Sequence, residues 1–128
     1  MTIWNVRHGW DNKDYLDMTL VQRSSDFATA GCINQVQYTS LQKMVAKDVG
    51  LIPGTFTWKP INVQIYDRHI NQAIEMLNRN PIKCKAEIAV NKDKKKFDDF
   101  TPDDIKILEY PRELIKTRNP QLKFPLGV

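Results

Sequence analysis

An alternation of apolar and polar residues at the start of the chain is the feature that most constrains its fold. The alternation runs through residues 2–7 and again through residues 15–22, with a turn-rich segment at residues 9–14 between them. A period of two places the apolar side chains of a strand on one face. We therefore predict a β-hairpin. Because the chain enters the first strand at Thr2 with no lead-in, we also expect an edge or a half of a larger sheet to be missing.

The size and charge of the chain narrow the class of protein. Its 128 residues suffice for a single domain, which we expect to span residues 1–128. No apolar run approaches the roughly 20 residues that cross a bilayer, and the start has no signal-peptide core, so we expect a cytoplasmic protein without a membrane partner. Nineteen basic and fifteen acidic residues give a net charge of +4, which favours anionic ligands without specifying one.

Cysteine and histidine are too few and too scattered to indicate a metal site. Cys32 and Cys84 lie far apart without CxxC spacing, and neither His8 nor His69 stands at ligand spacing from another such residue. We therefore expect no disulfide framework and no bound metal. Cys32 is interpreted as a small buried residue and Cys84 as part of a strand.

Two stretches of helical spacing predict long helices. The first follows Gly31, ends at Gly50 and is expected to be buried over about four turns. The second is expected to begin at Asp67 as N-cap and to end at Asn80. The apolar residues that would form the inner faces are Ile33, Val36, Leu41, Met44, Val45 and Val49 in the first helix, and Ile70, Ala73, Ile74 and Leu77 in the second.

The other strands are short apolar-rich runs between chain breakers, and they are expected at residues 55–59, 62–66, 83–90 and 105–108. Pro53-Gly54 is expected to form a turn, and Pro60 to break the strand pattern. The lysine-rich run 91–96 is interpreted as a solvated hairpin tip, Thr101-Pro102 as the start of a short turn, and the end of the chain as a proline-containing tail. Together these patterns indicate an α+β domain with a sheet of four or more strands and two helices.

A polar cluster, Gln22-Arg23-Ser24-Ser25-Asp26, follows the second strand. A guanidinium offers a fork of donors and a hydroxyl offers one more, so Arg23 and Ser24 form a candidate phosphate grip. Taken alone, this signal is weak, because an arginine followed by a serine is common and a surface arginine is usually a solvated charge.

Further residues extend this cluster into a longer motif. Asn34 follows Asp26 by eight residues, and Tyr66 stands within Asn62-Val63-Gln64-Ile65-Tyr66-Asp67-Arg68-His69. These residues and spacings resemble the thymidylate synthase family, whose signature reads Gln-Arg-Ser, one residue, Asp, seven residues and Asn, and later Asp-x-His-x-Tyr before Asn-His or Arg-His. The resemblance reaches the ending Lys123-Phe124-Pro125-Leu126-Gly127-Val128 and covers the carboxyl-terminal half of that family's catalytic domain.

The resemblance implies a fold and an activity. The fold is part of the thymidylate synthase-type mixed sheet with two long helices. The activity is methylation of dUMP at C5 to dTMP, with methylenetetrahydrofolate as donor and reductant. By resemblance, Arg23 and Ser24 would hold the 5′-phosphate, Gln22 would support the same wall, and Asp26 would lie where the nucleotide and the folate meet. The last residues would form a lid over the bound cofactor.

The resemblance also assigns the base and the sugar. Asn34 would read the pyrimidine, because a carboxamide matches both O4 and N3–H of uracil; the alternative is that Asn34 caps the helix with its side chain. Tyr66 would bind the deoxyribose 3′-hydroxyl, with Gln64 in the place of the family's histidine.

The nucleophile of the family is a cysteine that the resemblance places just before Met1, and neither Cys32 nor Cys84 replaces it. We therefore expect no dTMP formation by this chain alone. We expect it to associate with a complementing amino-terminal half or as a homodimer, through the apolar faces of residues 15–22 and 55–59.

Two other functions stay open. The chain could be a non-catalytic nucleotide-binding or oligomerising module, a degenerate or split member of the family, as Gln64 and the start of the chain indicate. A nucleic-acid surface at residues 92–96 is disfavoured, because no aromatic residues interleave with these lysines.

Overall fold

A computed structural model of the chain describes residues 1–125, and its α+β architecture confirms the predicted fold class. The expected lid residues Leu126, Gly127 and Val128 lie outside the described residues. In chain order the elements are β1 (Thr2–His8), β2 (Asp14–Asp26), α1 (Cys32–Asp48), β3 (Ile52–Gln64), α2 (Ile70–Asn78), β4 (Glu87–Val90), β5 (Ile105–Leu108) and α3 (Arg112–Arg118). Across residues 1–125, each helix is too short or too polar to span a bilayer.

The strands of residues 1–125 are divided between two sheets rather than joined in one sheet of four or more. One sheet has the order β1-β2-β3 and the other pairs β4 with β5. The predicted hairpin is confirmed, since β1 and β2 are antiparallel with Thr2 opposite Leu20 and His8 opposite Asp14. The second strand continues to Asp26, because it gains a parallel partner in β3 over its whole length.

The third strand overturns two of the turn predictions. Pro53-Gly54 does not form a turn and Pro60 does not end a strand, because all three residues lie inside β3, which pairs with β2 from Ile52 to Gln64. Proline lacks an N–H and is tolerated where a strand has only one partner. Within the described residues, β3 is such an edge strand.

A β-bulge interrupts the β2–β3 ladder. The register shifts between Leu16 and Met18, so that Gly54 and Thr55 together face Asp17. The backbone N–H of Thr55 donates to Asp17 Oδ1 at 2.7 Å. A side chain at Gly54 would collide with the same carboxylate, so this position requires glycine.

Gln42 of α1 closes the bulge from the side of the core. Its Nε2 donates to the carbonyl oxygens of Leu16 at 2.8 Å and Thr55 at 3.1 Å. The residue is 2% exposed, so these bonds form away from water. The side chain of Gln42 therefore satisfies two carbonyl groups, one on each of the two strands that form the bulge.

The buried face of α1 differs from the one that apolar spacing predicts. Ile33, Val36 and Val49 are exposed, whereas the buried residues of the helix are Ser40, Gln42 and Ala46. The reason is that the bulge needs a polar donor and that small residues allow the helix to approach the sheet closely. The predicted end at Gly50 is confirmed, since Gly50 has a φ of 74°.

The second helix begins with a short 3₁₀ turn, Asp67–His69, whose N-cap residue is Tyr66. Asp67 is therefore not the N-cap, and its side chain forms no capping hydrogen bond. The helix itself, α2, ends two residues before the predicted stop at Asn80.

The second half of the chain differs from the predictions mainly in the lengths of its strands and helices. The strand expected at residues 83–90 is limited to β4, so Cys84 lies in an exposed loop, and Cys32 is likewise exposed rather than buried. The turn opened by Thr101 and the strand β5 are confirmed. Helix α3 was not predicted, because its seven residues are too few for a clear helical period.

The strand at residues 55–59 has one half-buried face and one exposed face, and the interface expected through it stays a prediction. Phe56 and Trp58 are the half-buried members of that run, whereas Thr55, Thr57 and Lys59 are exposed. Alternation along the strand turns the aromatic side chains inward, so the outer face is polar. Exposed apolar side chains of β3 lie further along the strand, at residues 61 and 63.

We predict that Gln42→Met lowers the free energy of unfolding by about 1–3 kcal/mol, because two buried carbonyl groups lose their donor. Urea denaturation followed by circular dichroism measures the change. Gln37→Met, at an exposed position of the same helix, is the matched control and should change stability by less than about 0.5 kcal/mol. Equal effects of the two substitutions would contradict this role of Gln42.

The hydrogen bond from Arg7, followed by the one from the Thr55 N–H, lowers the pKa of Asp17 below its ordinary value of 3.8. A lowered carboxyl pKa stabilises the fold above the ordinary value, and this contribution is lost as the pH falls towards the folded-state value. We expect unfolding free energies measured at falling pH to decline less steeply for Asp17→Asn than for the wild type. Asp103→Asn, at an exposed carboxylate, should retain the wild-type slope.

Candidate functional site

The parallel pairing of β2 with β3 brings the two polar motifs to one edge of the sheet. Ser24 pairs with Asn62, and Asp26 pairs with Gln64. Because parallel strands run in the same direction, their carboxyl ends meet, and neighbouring strands lie about 4.8 Å apart. Residues distant in sequence thus become neighbours.

Arg23 is exposed at this edge, and within residues 1–125 its guanidinium forms no hydrogen bond or ion pair. An unengaged guanidinium is available to an anion. Successive strand residues point to opposite faces, so Ser24 lies on the face of Gln22 and Asp26 rather than on that of Arg23. The pairing of β1 with β2 ends at Leu20, so an anion shared by Arg23 and Ser24 would have to lie along the edge of β2 that β1 leaves open.

Gln22 is fixed by a contact with the neighbouring strand. Trp58 Nε1 donates to Gln22 Oε1 at 2.9 Å. The Trp58 ring stacks on Phe27 with ring centroids 6.3 Å apart, and Gly31 lies against the same indole. Gln22 is thus part of a rigid wall, with its amide nitrogen left as a donor.

Asp26 is nearly enclosed, with a side chain that is 12% exposed. Its Oδ2 accepts a hydrogen bond from Thr29 Oγ1 at 2.5 Å and lies 3.6 Å from His69 Nδ1. Its Oδ1 is buried and has no hydrogen-bond partner in the part of the chain that the structure describes. An unsatisfied buried oxygen of this kind costs roughly 1–3 kcal/mol.

Tyr66 lies just beyond the end of β3. Its ring packs edge to face on His69 at 5.6 Å, and the Arg68 guanidinium lies 4.9 Å from the ring centroid. The ring is thus held on two sides, while its hydroxyl has no hydrogen-bond partner within residues 1–125. Gln64, the last residue of β3, is half-buried beside Asp26.

Asn34 lies in the first turn of α1 and is half-buried. The N-cap of the helix is Gly31, and no side chain caps it. The structure therefore excludes the capping alternative for Asn34. Its carboxamide has both a donor and an acceptor available, since it has no hydrogen-bond partner among the described residues.

His69 belongs to this site, although its spacing in the sequence indicated no ligand role. It is 2% exposed and contacts Asp26, Tyr66 and Phe124. The signal that could have identified it is its place three residues after Tyr66, where the chain turns from the strand edge into α2.

The edge carries polar side chains of several kinds. Within residues 1–125, no group of three His, Cys, Asp or Glu side chains could hold a metal ion. The available groups are one guanidinium, one enclosed carboxylate and several amides and hydroxyls. Such a set can bind an anion at one place and hydrogen-bond a polar ring or sugar at another. The fold and the site thus define an α+β protein with an open polar site at the carboxyl ends of two parallel strands.

Comparison with known proteins gives the family. The family model described as thymidylate synthase matches residues 1–122. The thymidylate synthase of Streptococcus mutans serotype c is 43% identical over 115 residues, which cover 89% of this chain and 39% of that protein. The thymidylate synthase of Streptococcus thermophilus is 39% identical over 128 residues, which cover 99% of this chain and 43% of the relative.

A solved structure agrees with these sequence matches. The thermostable thymidylate synthase A from Bacillus subtilis aligns with a TM-score of 0.70 at 33% identity, covering 85% of this chain and 37% of that one. The chain belongs to the thymidylate synthase family. It spans about two-fifths of the length of the curated relatives that it matches.

Proposed function

We propose that this chain forms the nucleotide-binding wall of a thymidylate synthase-type enzyme, which methylates dUMP at C5 with methylenetetrahydrofolate. The observation that carries the proposal is the parallel register that sets Ser24 beside Asn62 and Asp26 beside Gln64. It gathers both motifs of the family at one edge, next to the unengaged Arg23.

The phosphate is assigned to Arg23 and Ser24. A guanidinium without a carboxylate partner binds a phosphate with charge-assisted hydrogen bonds, and the hydroxyl of the next residue along the strand adds another. Gln22 is too firmly held by Trp58 to move far. Its role is therefore to keep this wall of the pocket in place.

The base is assigned to Asn34 and the sugar to Tyr66 and Gln64. The free donor and acceptor of the Asn34 carboxamide match N3–H and O4 of uracil, whereas cytosine presents the reverse pattern. Tyr66 offers its hydroxyl to the 3′-hydroxyl of the sugar. Gln64 can donate one hydrogen bond there in place of the histidine that the family motif has.

The folate side of the pocket is assigned to Asp26. Its buried, unpartnered Oδ1 suits a ligand with N–H donors, and the pterin of a folate carries such donors. When bound, methylenetetrahydrofolate supplies the one-carbon unit and the reducing equivalents. Asp26 contributes an acceptor that fixes its orientation.

The chemistry needs a thiolate that adds to C6 of the uracil ring. Cys32 lies at the start of α1 and Cys84 in a loop, and we assign the nucleophile to neither. We propose that it comes from a complementing amino-terminal half, and that the chain alone forms no dTMP. A homodimer and a cytoplasmic location are part of the same proposal.

Exposed apolar side chains support an association of this kind. Ile3 of β1 is 49% exposed, and Ile61 and Val63 of β3 are 66% and 51% exposed. Ile3 pairs with Thr19 and Val63 with Ser25, so these side chains lie on the same face of the sheet. Apolar groups on two strands of one sheet form a surface that a partner chain would cover.

The second candidate function, a non-catalytic nucleotide-binding or oligomerising module, is favoured by Gln64, which weakens the sugar contacts. The gene sequence upstream of Met1 separates the two candidates.

We expect Arg23→Ala to weaken dUMP binding about ten- to a hundredfold, since a charge-assisted contact to phosphate contributes about 1.5–3 kcal/mol. Titration calorimetry measures the affinity. Arg112→Ala, which removes an exposed charge at the start of α3, controls for net charge and should retain the affinity. Deoxyuridine, which lacks the phosphate, should bind both variants equally. A tenfold loss for deoxyuridine with Arg23→Ala would refute the phosphate assignment.

We expect Asn34→Asp to lower the affinity for dUMP and to raise that for dCMP, a shift in preference of about ten- to a hundredfold. The physical reason is that a carboxylate accepts from the cytosine amino group and faces O4 of uracil unfavourably. Competitive calorimetry with the two nucleotides measures the ratio. Asn71→Asp, at an exposed position of α2, should leave the ratio unchanged, and an unchanged ratio in Asn34→Asp would remove Asn34 from the base site.

A further inference from the structure

The last described residues lie along α2 and are held there by hydrogen bonds to their backbone. Gln72 Nε2 donates to the carbonyl of Lys123 at 3.3 Å, and His69 Nε2 lies 2.8 Å from the carbonyl oxygen of Pro125. We call residues 123–125 the tail. Because both acceptors are main-chain carbonyl groups, the side chains of α2 and of the turn before it determine how the tail is held.

His69 is buried and fixed in orientation. The Pro125 carbonyl can only accept, so Nε2 is the donor of this hydrogen bond. Tyr66 and Phe124 pack edge to face against the imidazole, with ring centroids at 5.6 Å and 5.2 Å. With Nε2 directed at the tail, the other nitrogen, Nδ1, lies on the side of Asp26.

The contact between His69 and Asp26 is incomplete. Nδ1 lies 3.6 Å from Asp26 Oδ2, which is beyond hydrogen-bond distance. Nδ1 and Asp26 Oδ1 are both buried, and neither has a hydrogen-bond partner within residues 1–125. A small movement of the carboxylate would therefore change the contacts of the imidazole.

We propose that His69 is a positioning residue that couples docking of the tail to placement of the Asp26 carboxylate. Its Nε2 holds the tail and its Nδ1 faces Asp26, while the two flanking rings keep the imidazole from rotating. Loss of the tail contact would release the imidazole and change the group that faces the carboxylate, which Thr29 Oγ1 then holds alone. The consequence for nucleotide and folate binding rests on the proposed function, whereas the coupling itself does not.

Limited proteolysis of the full chain measures tail docking. Trypsin cleaves after Lys123 only when the tail leaves α2, and mass spectrometry gives the rate for that bond. The lysines of residues 92–96 lie in an exposed connection, and cleavage there serves as the internal reference for general loosening of the fold.

Two substitutions separate the two nitrogens of the imidazole. The amide nitrogen of glutamine reaches as far as Nε2, and that of asparagine only as far as Nδ1. We expect His69→Asn to accelerate cleavage after Lys123 about three- to tenfold, as the loss of one hydrogen bond predicts. His69→Gln should stay within about twofold of the wild type. Equal acceleration by both variants overturns the assignment of Nε2 to the tail.

A double-mutant cycle tests the coupling. Asp26→Asn should accelerate cleavage after Lys123 about threefold in the wild type and have no further effect in His69→Gln, where the group facing Asp26 is gone. Gln72→Met is the matched control, because it removes a neighbouring tail contact without facing Asp26, and its effect should be additive with that of Asp26→Asn. Additivity in the His69 cycle overturns the proposal.

If the His69 variants also accelerate cleavage at residues 92–96, a second double-mutant cycle tests the coupling between the tail and Asp26. Phe124→Ala removes the ring that packs on His69 from the tail, and it leaves α2 intact. Its effect on the cleavage rate should be non-additive with that of Asp26→Asn, and additivity again overturns the coupling.

Calorimetry with dUMP on the wild-type chain keeps the two proposals apart. Absence of dUMP binding together with a non-additive cycle overturns the proposed function and supports the coupling. Binding of dUMP together with an additive cycle supports the proposed function and overturns the coupling.

Discussion

The β-bulge at Asp17 is the constraint on which the site depends. It inserts one residue into β3, and every pairing beyond it, including that of Ser24 with Asn62, follows from that insertion. Without it, β3 would be shifted by one residue, and each of its side chains would point to the opposite face. The carboxylate of Asp17 and the amide of Gln42 make the insertion stable, because they satisfy the backbone groups that it leaves unpaired. A polar contact in the core thus sets the positions of polar groups at the edge.

The same principle explains why the edge is suited to a ligand. At the bulge, the polar groups of the sheet find partners inside the protein. At the edge, the guanidinium of Arg23 and a buried oxygen of Asp26 have no partner within residues 1–125. Groups that folding leaves unsatisfied bind ligands more strongly than groups that are already paired. The difference between the two regions therefore distinguishes the framework from the site.

Local sequence signals predicted much of the fold. The hairpin, the end of α1 at Gly50 and the strand β5 each follow from a period or a breaker within a few residues. Pro60 was misjudged, because whether a proline ends a strand depends on which side of the strand is paired. Gln42 was missed for a similar reason, since nothing near it in sequence shows that two carbonyl groups need its amide. The contact of His69 with the tail was also missed, because it joins residues too far apart in sequence for any local pattern to predict.

The sequence by itself determined the family, the α+β class and the set of residue types available for binding, because these depend on the order of residues along the chain. The tertiary structure decided which face of α1 is buried, how the strands divide into two sheets and which polar atoms stay unpaired. Those properties arise from contacts between distant segments, where backbone groups compete for partners and side chains for space. Neither competition can be read from one segment alone.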